Sequence, residues 1–192
     1  MKKLFYISIL LLLSWQCSRQ LAQIPKTVAP VKTKFPEDWE GHWLGDLEIY
    51  NTKGKQQTVA MELEILKIDT SKTRYTCALI YGEDKVKGRR PYEMIISDAA
   101  NGHFINDEKN TILMDEYLIG DVLYCSFAVE NNYLTSRFEK IGDAIQYEIT
   151  VADVKPINVT GNQIVAGDTI PAVSSYKMKS VQKAFLKKKK AI

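Results

Sequence analysis

The chain has 192 residues, 45% of them hydrophobic and 26% charged, with 26 Lys and Arg against 23 Asp and Glu. That is the composition of an ordinary globular domain, and the length fits one domain. Three cysteines in such a length exclude a disulfide-built scaffold.

The N-terminus comes first. Lys2 and Lys3 precede the apolar run Leu4 to Leu13, "LFYISILLLL". At about 1.5 Å per residue this run reaches roughly half of a ~30 Å hydrocarbon core. It is too short to span a bilayer and reads as a signal peptide over residues 1–22, cut after Ala22 to leave Gln23 first. The expected location is therefore the periplasm or the exterior. Cys17 offers an alternative, a lipid-modified cysteine, although Trp15 and Gln16 before it are bulkier than that signal prefers. Membrane association is expected only if Cys17 is lipidated. Lys2, Lys3 and Arg19 leave with this segment and no acid does, so 23 basic side chains then face 23 acidic ones. A balanced chain gives no reason to expect nucleic acid as a partner.

Residues 23–38 hold three of the six prolines and no period, and are read as a linker. From Trp39 onward one strand pattern follows another, and the domain is expected over 39–186, with a solvated basic tail at 187–192. "HWLGDLEIY" turns at "NTKGKQ" into "TVAMELEILKI", which alternates cleanly. "TRYTCALIYG", "RRPYEMIIS", "HFIND" and "TILMDEYLIG" come next. "DVLYCSFAVE" and "YLTSRFEKIG" flank Asn131-Asn132, read as a tight hairpin turn. "DAIQYEITVADV" follows Gly142-Asp143. "KPINVTGNQIVAGDTIP" reads as a looser connection before a last strand over Val173 to Val181. No helical period of useful length intervenes. The fold class expected is all-β: an up-and-down antiparallel barrel of about eight to ten strands, closed so that no edge is left exposed.

Gly41-x-Trp43, opening the first strand, resembles the lipocalins and the wider calycin group. The resemblance implies a lipocalin-like barrel whose base is closed by Trp43, with Gly41 permitting tight packing there. Trp39, just before the strand, is expected to matter much less. Trp43-x-Gly45 is also similar to the start of nitrobindin-type haem barrels, but these hold iron through a late histidine. Here His42 and His103 are the only histidines, so no haem is expected. "YGEDK" and "RPYE" resemble stretches of exported barrel proteins from Bacteroidetes-like bacteria, a likeness that implies no known function.

Side chains alternate across a strand. With Trp43 inward, Leu47 and Ile49 follow it, and Met61, Leu63 and Ile65 face them. Tyr75, Cys77, Leu79, Tyr81, Tyr92, Met94, Cys125, Phe127 and Tyr147 complete an apolar interior unusually rich in phenols. A buried hydroxyl without a partner costs about 1–3 kcal/mol, so these must meet each other, water or a ligand. The candidate ligand-binding residues are Arg90, Tyr92, Tyr75, Tyr81, Tyr147, Met61, Met94 and Phe127. Arg90-x-Tyr92 resembles the Arg-x-Tyr carboxylate anchor of intracellular fatty-acid-binding proteins, which implies an acidic ligand. The competing reading leaves Arg90 at the strand mouth in water, paired with an acid such as Glu93. Cys77 and Cys125 are read as buried free thiols, with a disulfide as the alternative.

Catalytic signals are poor: no nucleophile elbow, phosphate loop or metal-spaced histidine pair occurs, so no metal or cofactor is expected. Glu62, Glu64, Asp107-Glu108 and Asp115-Glu116 are read as solvated or turn charges. Two functions compete, with catalysis on the same barrel a third and weaker one. The first is a non-catalytic barrel binding a small apolar or amphipathic ligand, marked by an interior cavity above about 300 Å³. The second is a filled-core interaction module, marked by an exposed apolar patch.

Overall fold

A computed structural model describes residues 34–190; the apolar run, Cys17 and the cleavage site lie outside them. The strands, in chain order, are β1 (Gly41–Asn51), β2 (Gly54–Lys67), β3 (Arg74–Tyr81), β4 (Arg89–Arg90), β5 (Glu93–Asp98), β6 (His103–Asp107), β7 (Leu113–Ile119), β8 (Val122–Val129), β9 (Asn132–Ile141), β10 (Ala144–Thr160), β11 (Gln163–Val165), β12 (Asp168–Ile170) and β13 (Val173–Lys188). Ten of them form a closed antiparallel barrel in simple meander order, with β13 returning to β1. β4 is a short side pairing on β3, and β11–β12 is a separate small hairpin. The all-β, up-and-down barrel expected from the strand pattern is the fold observed.

The alternation in the sequence explains the faces. Trp43 and Leu47 of β1, Met61, Leu63 and Ile65 of β2, and Tyr75 and Cys77 of β3 are all buried, while their neighbours face outward. Cys77 and Cys125 are both buried free thiols. Two-residue turns join successive long strands, for example where Ile141 pairs with Ala144 around Gly142-Asp143.

The structure corrects the sequence reading at several places. The β8–β9 turn is Glu130-Asn131, since Val129 pairs with Asn132, and Glu130 takes the left-handed φ of 53° that the turn needs. "RRPYEMIIS" is two strands, because Pro91 lacks the N–H that a continuous ladder on β3 would require. The "looser" stretch from Lys155 instead continues β10 to Thr160, paired with β13 as far as Val173. The last strand runs past Val181 to Lys188, and Lys187 and Lys188, both exposed, lie within β13. Packing is already present among the described residues before Trp39. Phe35 is buried, and a short 3-10 turn spans Glu37–Trp39.

That turn carries the main surprise at the barrel base. Trp39, like Trp43, is 0% exposed. The Trp43 indole Nε1 donates to the Trp39 carbonyl at 2.9 Å. Phe35 stands edge-on to both Trp39 and Phe104, at 4.8 and 4.9 Å. Such edge-to-face pairs contribute about 0.5–1.5 kcal/mol beyond their burial. The base is thus a plug of aromatics from three parts of the chain, and Trp43 is only its centre. Gly41 has φ +142°, a conformation closed to residues with a side chain, and the Lys188 stem crosses it so closely that a Cβ would lie 2.7 Å from Cε. The Lys188 ammonium then sits 5.2 Å from the Trp43 ring centroid. At Gly45 a Cβ would lie 2.5 Å from the Phe185 carbonyl oxygen, so only glycine lets β1 and β13 approach there.

Trp39→Ala and Trp43→Ala are each expected to lower stability by about 3–5 kcal/mol, as for other large buried aromatics. Urea denaturation of both variants checks this. A loss at Trp43 alone would mean that the N-terminal turn does not seal the base in solution.

Candidate functional site

Above the aromatic base the side chains thin out and leave an interior cavity of about 150 Å³. Its apolar wall comes from Leu79, Phe127, Phe138 and Ile149. Phe138 packs against Tyr147 with ring centroids 4.6 Å apart. The phenols meet each other and the rim, as the cost of an unpartnered hydroxyl demands. Tyr81 and Tyr147 hydrogen-bond to each other, and Tyr92 bonds to Glu108 at the mouth. Burial pushes Tyr81 up to about 12 and Tyr147 well above its ordinary value, so both remain neutral donors. Cys77 and Cys125 also face the cavity. Burial raises both thiols, Cys125 to about 12, which keeps them protonated and unreactive.

The polar centre of the cavity is a pair that the sequence reading passed over. Glu116 of β7 is 3% exposed and Asn106 of β6 is 8% exposed. Asn106 Nδ2 donates to Glu116 Oε1 at 3.1 Å. Asn106 Oδ1 and Glu116 Oε2 have no hydrogen-bond partner at all. A buried polar atom left so costs about 1–3 kcal/mol, and two such atoms side by side in one cavity mark a place for a guest. Burial pushes the Glu116 carboxyl up to about 7, against which the Asn106 bond pulls down only in part. Two carboxylates, Glu116 and Glu108, line the space, and no cationic side chain does.

The eight expected ligand-binding residues therefore separate. Tyr81, Tyr92, Tyr147 and Phe127 line the cavity together. Met61, Tyr75 and Met94 are buried in the packed core instead. Arg90 is exposed, and its guanidinium donates to the carbonyls of Lys87 and Arg89 at 3.4 Å. It is a rim charge in water, as the competing reading had it, but Glu93 is not its partner: Glu93 pairs with Arg74 and Lys109. Gly41 and Trp43 hold the structural positions described above.

Glu116 was legible in the sequence. Parity along "LMDEYL" places it with Met114 and Leu118 on the inward face, whereas Asp115 and Tyr117 are exposed. Asn106 follows Phe104 inward in the same way. Glu62 and Glu64 do lie on the outer wall, but they are not simply solvated. His42 Nδ1 lies 3.0 Å from Glu62, and Arg89 Nη2 2.6 Å from Glu64. Among the described residues no group of three or more His, Cys, Asp or Glu gathers as a metal site.

No family model matches this chain, and no curated protein does, so the likeness to exported bacterial barrels rests on the two short stretches alone. Among solved structures, the S-type phycobiliprotein lyase from Guillardia theta is similar, with a TM-score of 0.51 over 80% of this chain and 89% of that one. The two share 8% of their residues, so what they have in common is the lipocalin-like barrel itself.

Proposed function

We propose that this protein is an exported, non-catalytic barrel that binds a small amphipathic molecule in its interior cavity. The ligand is a single-ring compound whose polar end donates hydrogen bonds. The observation that carries this reading is the pair of partnerless oxygens, Asn106 Oδ1 and Glu116 Oε2, in one cavity. With Glu116 ionised, both oxygens are acceptors, and an amine or amidine fills both. The volume of about 150 Å³ sets the size. It falls short of the ~300 Å³ expected of a ligand-holding interior, and a cavity of that order holds one benzene-sized guest at most. Phe127, Phe138 and Leu79 supply the apolar wall for the ring. The similar fold belongs to a lyase, but at 8% identity nothing about that protein's activity bears on these residues.

The polarity is the reverse of what Arg90-x-Tyr92 implied, and calorimetry separates the two. Benzylamine is expected to bind at pH 8 and benzoate is not. Glu116→Gln keeps the shape and removes the charge, so it should weaken benzylamine by roughly ten- to hundred-fold, the worth of a hydrogen bond to a charged group. Arg90→Met should leave the affinity unchanged. Benzoate binding lost in Arg90→Met would restore the acid-anchor reading. No binding of either probe would leave the cavity a packing gap.

The same carboxyl governs stability. Its folded pKa is raised from 4.5 to about 7, so the folded state holds the proton that the unfolded state has released between these values. The contribution is full below about pH 4.5 and is lost as pH rises through about 7, a loss of about 3 kcal/mol. Glu93 and Asp98 are held below their ordinary values by hydrogen bonds, and their contributions change only at more acidic pH. Denaturation midpoints of the wild type should therefore fall between pH 4.5 and 7.5, and those of Glu116→Gln should not. Equal slopes would remove Glu116 from the account.

Export rests on Lys2-Lys3 and the Leu4 to Leu13 run. Sequencing of the protein recovered from its host should start near Gln23, or at a lipid-modified Cys17. A retained Met1 would end this part of the proposal.

A further inference from the structure

Beyond the barrel, β10 and β13 continue as a two-stranded arm that ends in the β11–β12 hairpin. Every residue from 155 to 178 is exposed. The arm is nevertheless apolar: Ile157 is 68% and Ile164 75% exposed, with Val159, Val165, Val173 and Tyr176 beside them. A free two-stranded ribbon is marginal in water, and so many exposed large apolar side chains on one element mark a docking surface.

We propose that the arm is a dimerisation element, and that its occupant is the arm of a second copy of this chain, paired antiparallel about a two-fold axis. Three observations select this partner. The first is the edges. β9 accompanies β10 only to Asp153, and β1 accompanies β13 only from Val181, so both arm strands have an open side. The β10 side is interrupted by Pro156 and by register shifts on either side of it. The β13 side, Val173 to Lys177, has no proline. One usable edge per chain pairs with its own copy and closes at two, where two usable edges would build a filament.

The second is charge. Lys155 and Lys177 stand at the root of the arm, where they line one groove with Lys179, and Asp168 stands at the tip. Lys179 is already paired with Asp153 at 2.7 Å. Among the described residues Lys155, Lys177 and Asp168 make no ion pair. Antiparallel pairing lays the tip of one arm beside the root of the other, so Asp168 meets the lysines of its partner.

The third is size and shape. The 24 residues from 155 to 178 match the roughly 20–30 residues per side of a standard interface. Where the arm leaves the barrel, the outer wall and the arm enclose an apolar groove of about 550 Å³ between Tyr133, Ala152, Tyr176 and Met178. Pairing along the β13 edge lays the β11–β12 hairpin beside the root of the partner's arm, so that Ile164 and Ile170 reach that groove and Asp168 the lysines next to it.

Sedimentation velocity of the full chain tests this. The wild type should be a dimer at about 50 µM. Asp168→Lys should weaken the dimer about tenfold or more, and so should Lys155→Asp with Lys177→Asp. Combining all three substitutions should restore it, which neither misfolding nor association through the Leu4 to Leu13 run would reproduce. Ile164→Asp with Ile170→Asp should give a monomer whose tryptophan fluorescence is unchanged, since Trp39 and Trp43 are buried in the barrel base. A wild-type monomer, a dimer indifferent to the arm variants, or failure of the charge swap to rescue would each overturn the proposal. A monomer whose arm instead drives sedimentation with phosphatidylglycerol vesicles would assign the surface to lipid and overturn it as well.

Discussion

The pairing of β1 with β13 is the constraint on which the rest depends. A meander of ten strands becomes a barrel only if its first and last strands meet, and here they meet along Trp43 to Tyr50 and Val181 to Lys188. Gly45 lets the two backbones come close enough, and Gly41 lets the Lys188 stem cross the start of β1. Once these strands are joined, the inward faces of all ten converge on one axis. Trp39, Trp43, Phe35 and Phe104 gather at one end, and the phenols, Phe127, Phe138 and the polar pair surround the space above them. The cavity is thus a result of how bulk is distributed along the strands.

That distribution also explains why a carboxyl sits inside. Glu116 and Asn106 occupy neighbouring strands just above the aromatic plug, at positions where a leucine or phenylalanine would have completed the core. Keeping a glutamate there costs the desolvation that raises its pKa and leaves an oxygen without a partner. Perturbed acids with open valences inside a cleft are arrangements that binding sites use more often than structural cores do. The outer wall treats its acids differently. Glu62 and Glu64 are covered by His42, Lys85 and Arg89, and nothing is left open.

Most of the barrel was legible in the sequence because strand parity is local. Leu63, Cys77, Phe127 and Tyr147 each declare their face through their immediate neighbours. What parity showed, however, was overruled for Glu116 by the habit of assigning charges to the surface. Trp39 was misjudged for another reason: it precedes the first strand, and only the closed barrel creates the space that it fills. Arg90 was over-read, since Pro91 breaks the strand that would have aimed it inward. The arm was hidden by Gly161, Gly167 and Pro171, whose turn chemistry belongs to the hairpin at its tip and made the flanking strands look like loop.

The position of β13 has a consequence for the order in which this protein acquires its shape. β1 can pair with β2 as soon as both exist, but its other edge waits for a partner that lies almost at the far end of the described chain. Contacts of such long sequence separation form late, because the loop between them must close first. Until then the Trp43 face stays uncovered, with an open strand edge beside it. The chain therefore passes through an interval in which it is exposed to aggregation, and this ends when Lys188 settles over Trp43.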